Sequence, residues 1–231
     1  MLPSLINMRP DSRYPTNWMV VNEDFDRVAV KAFFCIFFIW CYVPRMNTRI
    51  AIMNRAEYAA RKRGHNGFSF DHIANDVGIQ KASMYHHFSN KSELLMAIFE
   101  RFANRIYDWF GEQQNSDKNA GGRLLDYLEE TRLVLDDGSS ICMSIAFSID
   151  HESLKPELAE GLRLFQRANI NWLKETFELG RQDKSISNIG DIEEEAMAAL
   201  TMVDGALVMA RLHNDPALFD KATRLLQSRV S

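Results

Sequence analysis

Cysteine is scarce in this 231-residue chain. Cys35, Cys41 and Cys142 are too few and too scattered for a disulfide framework or a four-ligand zinc site, so a reducing, cytoplasmic setting is the expectation. Proline is scarce too, and four of the six residues (Pro3, Pro10, Pro15, Pro44) fall in the first 45 positions. There is no excess of positive charge: 27 Lys and Arg face 31 Asp and Glu, a net charge of −4. That excludes a wholly basic nucleic-acid coat but leaves room for a local basic module. No glycine-rich phosphate loop, no paired metal-ligating histidines and no serine elbow occurs, so no enzyme activity, cofactor or metal is implied. Nor is there a long apolar run. The longest useful one, Ala32 to Val43, has twelve residues, and as a helix it spans about 18 Å of a bilayer core of about 30 Å. What remains is ordinary globular composition, 46% hydrophobic and 25% charged, with enough length for a real core.

Residues 1–45 do not match the rest. Besides the prolines they hold two of the four tryptophans, Trp18 and Trp40. Some thirty residues, acidic ones among them, precede the apolar run, and no small-residue cleavage site follows it, which argues against a secretory signal. We expect an atypical extension, a translated upstream stretch, with the working protein starting at Met46. The alternative is a greasy anchor through residues 28–43.

From residue 46 the chain punctuates cleanly. A helix with Thr48 as N-cap carries Ile52, Ala56, Ala59 and Ala60 at helical spacing, and ends in Arg61-Lys62-Arg63 before Gly64. Ser69 caps a second helix, Phe70 to Val77, that Gly78 breaks. A third begins at Gln80 or Lys81 and runs to Phe88, and Asn90 with Glu93 forms a capping-box-like start for a fourth. Two short helices about a glycine turn, within a three-helix unit, are a helix-turn-helix pattern. Ile73, Ile79 and Met84 are its expected core pins. Gln80, Lys81, Ser83, Tyr85, His86 and His87, nearly all hydrogen-bond formers, fall on the exposed face of the third helix. Residues 46–94 hold seven Lys and Arg against four acids, net +3, whereas 95–231 hold fifteen against 23, net −8. A basic head on an acidic body is what phosphate binding by one module requires.

About fifty residues here, 52–65 and 68–95, closely resemble the DNA-binding domain of the TetR family of bacterial transcriptional regulators. The most specific part is Ile73-Ala74, then Gly78, then Tyr85-His86-His87-Phe88 and Lys91-x-Glu93-Leu94-Leu95. The resemblance implies that Ser69, Tyr85, His87 and Lys91 grip backbone phosphates of double-stranded operator DNA. It places Gln80, Lys81, Ala82, Ser83 and His86 where base edges are read. Ala82-Ser83 departs from the family's commoner Gly-Thr pair. Both residues are small, so close approach survives, and the Ala82 methyl suits a thymine methyl.

Residues 95–231 show no strand-like alternation. They read as helices over 91–114, 121–136, 140–151, 155–180, 190–213 and 216–229, making the chain all-α. Cys142 falls near the start of a short helix, where a dipole stabilises a thiolate, so a redox- or electrophile-sensing regulator is an alternative. The last two helices carry an apolar band, including Ala199, Val203, Ala206, Leu207, Ala210, Phe219, Ala222 and Leu226. That band fits a four-helix dimer interface or an internal packing face. The resemblance favours a homodimer. It also implies a ligand cavity, for which Phe102, Ile106, Trp109, Tyr127, Cys142, Phe147, Phe165 and Trp172 are the expected lining. The organisation expected is therefore a helix-turn-helix head at 46–94 and a ligand-binding, dimerising body at 95–231. A small-molecule inducer would release it from the operator, and no membrane is involved.

Overall fold

The computed structural model describes residues 47–136, 138–149 and 151–231. The expectations placed on residues 1–45, the upstream stretch and the anchor through 28–43 alike, lie outside them. Nine α-helices occur among the described residues: α1 (Thr48–Arg63), α2 (Phe70–Val77), α3 (Lys81–His87), α4 (Lys91–Gln114), α5 (Ala120–Leu133), α6 (Met143–Ser148), α7 (Pro156–Asp183), α8 (Ile192–His213) and α9 (Ala217–Gln227). A 3₁₀ turn, His151–Ser153, joins α6 to α7. No strand forms among these residues, only an isolated bridge between Ile186 and Val230.

In the head, local capping sets each boundary. Asn47, one residue before the expected cap, accepts the Arg49 amide at 3.0 Å, and Thr48 opens α1. Ser69 accepts from the His72 amide. Gly78 closes α2 with φ 76° and ψ 32°, its amide reaching back to the Ala74 and Asn75 carbonyls. A Cβ at Gly78 would meet nothing within 4 Å. Glycine is needed there for its left-handed dihedrals and not for space. Ile52, Ile73, Met84, Phe88 and Leu94 are fully buried between the helices, with Ile79 half-buried against them. At the start of α4, Asn90 accepts from the Glu93 amide at 3.0 Å, while Glu93 takes the amide of Ser89 instead of Asn90. The reciprocal cap is shifted outward by one residue.

α4 runs unbroken from the head into the body across position 94. Buried Glu57 of α1 sits between Arg101 and Arg105 of α4, which pins the two helices together. In the body, α7 packs on α5 and α8, and α8 on α9.

Three helices end or begin three residues from expectation. α5 stops at Leu133, short of 136, because successive i→i−3 bonds to the Thr131, Arg132 and Leu133 carbonyls tighten the chain and turn Leu135 fully inward. α6 covers six residues where twelve were expected; the Ser140 amide bonds back to the Leu135 carbonyl, so 138–142 is a return loop. α7 continues through Gly180 to Asp183. A Cβ at Gly180 would lie 2.6 Å from Ile186 Cδ1, so this glycine is a packing notch in the helix and not its end.

The expected dimer band is corrected. Ala199, Val203, Ala206, Leu207, Ala210, Phe219 and Leu226 are buried inside the protomer, where they join α8 and α9 to the core, and only Ala222 of that set is exposed. The faces left to solvent carry Met197, Val208, Met209 and Leu212 on α8 and Leu225 on α9. By length and composition α8 alone among the described helices could cross a membrane, and its inner face is spent on this core.

Candidate nucleic-acid interface

α3 is a seven-residue helix with one face committed. Met84 is fully buried and Ser83 and His87 are half-buried, while Gln80, Lys81, Ala82, Tyr85 and His86 are exposed. Of the residues that the sequence placed on the outward face, Gln80, Lys81, Tyr85 and His86 lie there together with Ala82, whereas Ser83 and His87 turn partly inward. Gln80 stands at the N-cap, exposed and with no side-chain capping bond to the helix. Tyr85 is 54% exposed, with its ring 5.3 Å from that of Phe70. α2 therefore contacts the ring of a residue on α3 that stays largely in solvent.

The cations near this face are held by the protein. Lys81 Nζ donates to Asp71 Oδ2 at 2.7 Å, and that bond and charge raise its pKa. The pair is solvent-exposed on both sides, so exchanging the carboxylate for a phosphate costs little. Lys91 is half-buried: its Nζ donates to the Phe68 carbonyl at 2.7 Å and lies 4.7 Å from the centre of the Phe68 ring. Burial lowers its pKa. It ties the start of α4 to the loop before α2, next to Ser69. Ser69 is itself half-buried at the α2 cap.

One participant has no counterpart among the residues singled out by sequence. Arg49 Nη1 donates to the His87 carbonyl at 2.8 Å, and its guanidinium lies 4.2 Å from the centre of the Phe88 ring. It thereby holds the C-terminal end of α3 to α1. A signal was there: an arginine in the first turn of a helix opposes the dipole and so needs another reason to be present.

The residues expected to line a cavity fall into two ring clusters. Phe102, Phe147 and Phe165 gather around Phe99, with centroids 5.2–6.2 Å apart. Trp109, Tyr127 and Trp172 gather with Phe110, at 5.0–6.5 Å. Ile106 and Cys142 are half-buried against this core. The eight side chains are largely core, and none lines either of two clefts at the surface. One of these, about 510 Å³, runs between Arg49, Met96 and Lys155. The other, about 400 Å³, lies along α7 beside Gln166. Cys142 also departs from expectation. It is the N-cap of α6, yet burial pushes its thiol up, against the opposing pull of Ser144, whose Oγ lies 3.0 Å from Sγ. The thiolate is not favoured there, because a six-residue helix offers too little dipole to offset the loss of solvent.

Comparison with known proteins agrees with this geometry. The profile for bacterial regulatory proteins of the tetR family matches residues 52–98. The transcriptional repressor NemR of Escherichia coli K12 is 22% identical over 169 residues, 72% of this chain and 85% of the relative. The transcriptional regulator CymR of Pseudomonas putida is 24% identical over 177 residues, 76% and 85% of the two chains. Among solved structures, a TetR-family regulator of Agrobacterium tumefaciens superposes with a TM-score of 0.75 at 24% identity, covering 80% of this chain and 97% of that one. The reduced form of E. coli NemR gives 0.69 at 21%, covering 80% and 97%. A helix-turn-helix whose α3 is free on its outer face fits both: residues 52–98 carry a DNA-binding domain of the tetR type, the chain shares the fold of that family's regulators, and these matches support a DNA-binding transcriptional regulator.

Proposed function

We propose that the chain is a cytoplasmic homodimeric repressor that places α3 in the major groove of operator DNA and lets go when a small molecule binds its body. The observation that carries this is the division of α3 itself, with Met84 locked in the core while Gln80, Lys81, Ala82, Tyr85 and His86 face outward. Gln80, Lys81, Ala82, Ser83 and His86 read base edges, and Ser69, Tyr85, His87 and Lys91 hold phosphates. Residues 46–94 act as the head and 95–231 as the body. The names of the relatives, a repressor among them, support the sign of regulation. The protein acts by population shift and carries no catalytic step: a ligand weakens DNA binding by as much as it prefers the released state. A thiol switch at Cys142 is not favoured, given the burial of its sulfur.

The test is a salt series of operator titrations, using DNA from upstream of the gene, with the full chain and Lys91→Gln. Glutamine keeps a donor for the Phe68 carbonyl but no charge. We expect tight binding with a steep negative salt slope. The variant should melt as the parent does, while its slope becomes shallower by about 0.9 for each phosphate it no longer neutralises. An unchanged slope with unchanged stability would reduce Lys91 to a structural tether. Failure to bind any site in a genomic selection would end the repressor proposal.

A further inference from the structure

The head holds four acids, Glu57, Asp71, Asp76 and Glu93. Carboxylates weaken a module that binds phosphate, so each calls for a reason to be there. Three have one inside the scaffold. Buried Glu57 takes Arg101 and Arg105 of α4. Asp76, on α2, takes Arg55 of α1 at 3.0 Å. Glu93 closes the start of α4 through the amide and hydroxyl of Ser89. Asp71 is different. It lies in the first turn of α2, where Ser69 serves the His72 amide, and its Oδ2 accepts from Lys81 Nζ on α3 at 2.7 Å. Its carboxylate therefore stands beside the outward face of α3, and the Lys81 and Asp71 side chains are 51% and 55% exposed. The same turn of α2 meets a second outward side chain, since the Phe70 and Tyr85 rings lie 5.3 Å apart.

An ion pair this exposed adds little stability, so its weight falls on what Lys81 does next. An ammonium has three donors. Asp71 occupies one, leaves two, and fixes the direction in which they point, so that less rotamer freedom is lost when DNA arrives. On DNA of arbitrary sequence the paired lysine gains little from a phosphate, because one anion is exchanged for another. Two neighbouring acceptors in the major groove are a different target. Guanine offers O6 and N7 side by side, whereas adenine sets N7 beside a donor and the pyrimidines present one acceptor or none. We propose that Asp71 is a specificity-determining residue: it holds Lys81 as a reader of guanine in the operator and keeps it from acting as a general phosphate ligand. This role rests on the DNA-binding reading above.

Duplexes selected by the full chain from a random library supply the operator. Titrations then compare it with each of its single-base changes and with a non-operator duplex. The parent should select a guanine in each half-site whose replacement weakens binding about tenfold, and Lys81→Gln should abolish that preference. Asp71→Asn should reduce it to about twofold or less, with the other base positions unchanged. Its binding to the non-operator duplex should tighten, with a salt slope steeper by about 0.9 per head, as the freed ammonium neutralises a phosphate. Asp71→Glu keeps the charge and should restore much of the discrimination. In the Lys81→Gln background, Asp71→Asn should alter no base preference. Thermal melts of all variants should stay close to the parent's, which separates a lost reader from a misfolded head. A guanine preference that survives Asp71→Asn overturns the role, and so does a Lys81→Gln variant that loses some other base. Discrimination weakened at every position alike would also overturn it, making Asp71 a plain surface charge or a prop for α2. If the parent selects no sequence at all, the repressor reading falls and this role with it. Selective binding indifferent to Asp71 keeps the reading and removes the role.

Discussion

Burial makes the cost of Asp204 depend on pH, and the sign follows from where its proton is held more tightly. The carboxyl rises from its ordinary 3.8 to about 6, chiefly through loss of solvent, with the Gln166 bond pulling the other way. The native state therefore binds this proton more tightly than the unfolded chain, and stability falls as pH rises through that interval. The penalty is absent below about pH 4 and complete somewhat above pH 6. Asp204→Asn cannot ionise and keeps an acceptor for Gln166. It should be more stable than the parent at about pH 7.5 by roughly 1–2 kcal/mol, a few degrees in the thermal midpoint, and no different at about pH 4. Melts of both proteins at the two pH values check this. A variant no more stable at the higher pH would mean that the charge is solvated after all. Burial also decides the state of Cys142, where it outweighs the pull of Ser144.

Besides the continuous α4, the C-terminal end of α1 docks on the body, and its last carbonyls are gripped from a distance. Arg211, in the last turn of α8, donates to the carbonyls of Arg61, at 2.7 Å, and of Lys62. Arg61 reaches onward to the carbonyls of Val134, at 2.6 Å, and Ile141, at 3.1 Å. The His65 ring bonds Ser153 at 2.7 Å and meets Phe147 edge-on. The same junction explains Gly138, at φ 91°, where a Cβ would stand 2.9 Å from the Asn214 backbone. Arg211→Ala removes two charge-assisted donors from carbonyls that helix geometry leaves unsatisfied. We expect a loss of about 2 kcal/mol, roughly 4–8 °C in the thermal midpoint, with faster amide exchange in residues 61–66. Arg211→Lys should fall between. Unchanged melting and exchange would show that the head is docked without this arginine. None of this was legible in sequence, where Arg61-Lys62-Arg63 read as charges suited to a helix end, because the bonds join residues 73 to 150 positions apart. What was legible is local: Ser69, Gly78 and Asn90 set the head's boundaries through bonds to residues three or four positions away. The full length of α4 was legible for the same reason. The tightened end of α5 was not, since Leu133 to Leu135 remain apolar and helix-compatible until the buried Leu135 pulls the chain inward.

The proposed homodimer needs two heads held at a fixed spacing, about one helical turn of DNA apart, and the solvent face of α8 and α9 is the surface proposed to pair them. α8 is apolar on more than one side. That is why the apolar band read from sequence suited either a dimer interface or an internal face, and the protomer itself covers it. With Ala199, Val203 and Ala206 spent internally, the stripe left in solvent runs through Met197, Thr201, Gly205, Val208 and Leu212, with Met209 beside it. A Cβ at Gly205 would meet nothing within 4 Å, so this glycine answers no neighbour inside the protomer and suits close approach by a second helix. Leu212 is 70% exposed and Leu225, on α9, 63%. Such a surface is costly in a monomer and ordinary in a dimer. The charge distribution fits this arrangement, because a body of net −8 is repelled by DNA and leaves binding to the heads of net +3. Substituting Met209→Glu together with Leu212→Glu places carboxylates on this face without touching the core. The expected result is a monomer by light scattering with unchanged helical circular dichroism. Operator affinity should be lower by about 100-fold or more, as the second head no longer binds at high effective concentration. The salt slope should fall to about half, since one head neutralises half the phosphates. A variant that remains a dimer of parental affinity would move the pairing face elsewhere. A monomer that kept parental affinity would show that a single head suffices, and that the second apolar face of α8 serves something other than operator spacing.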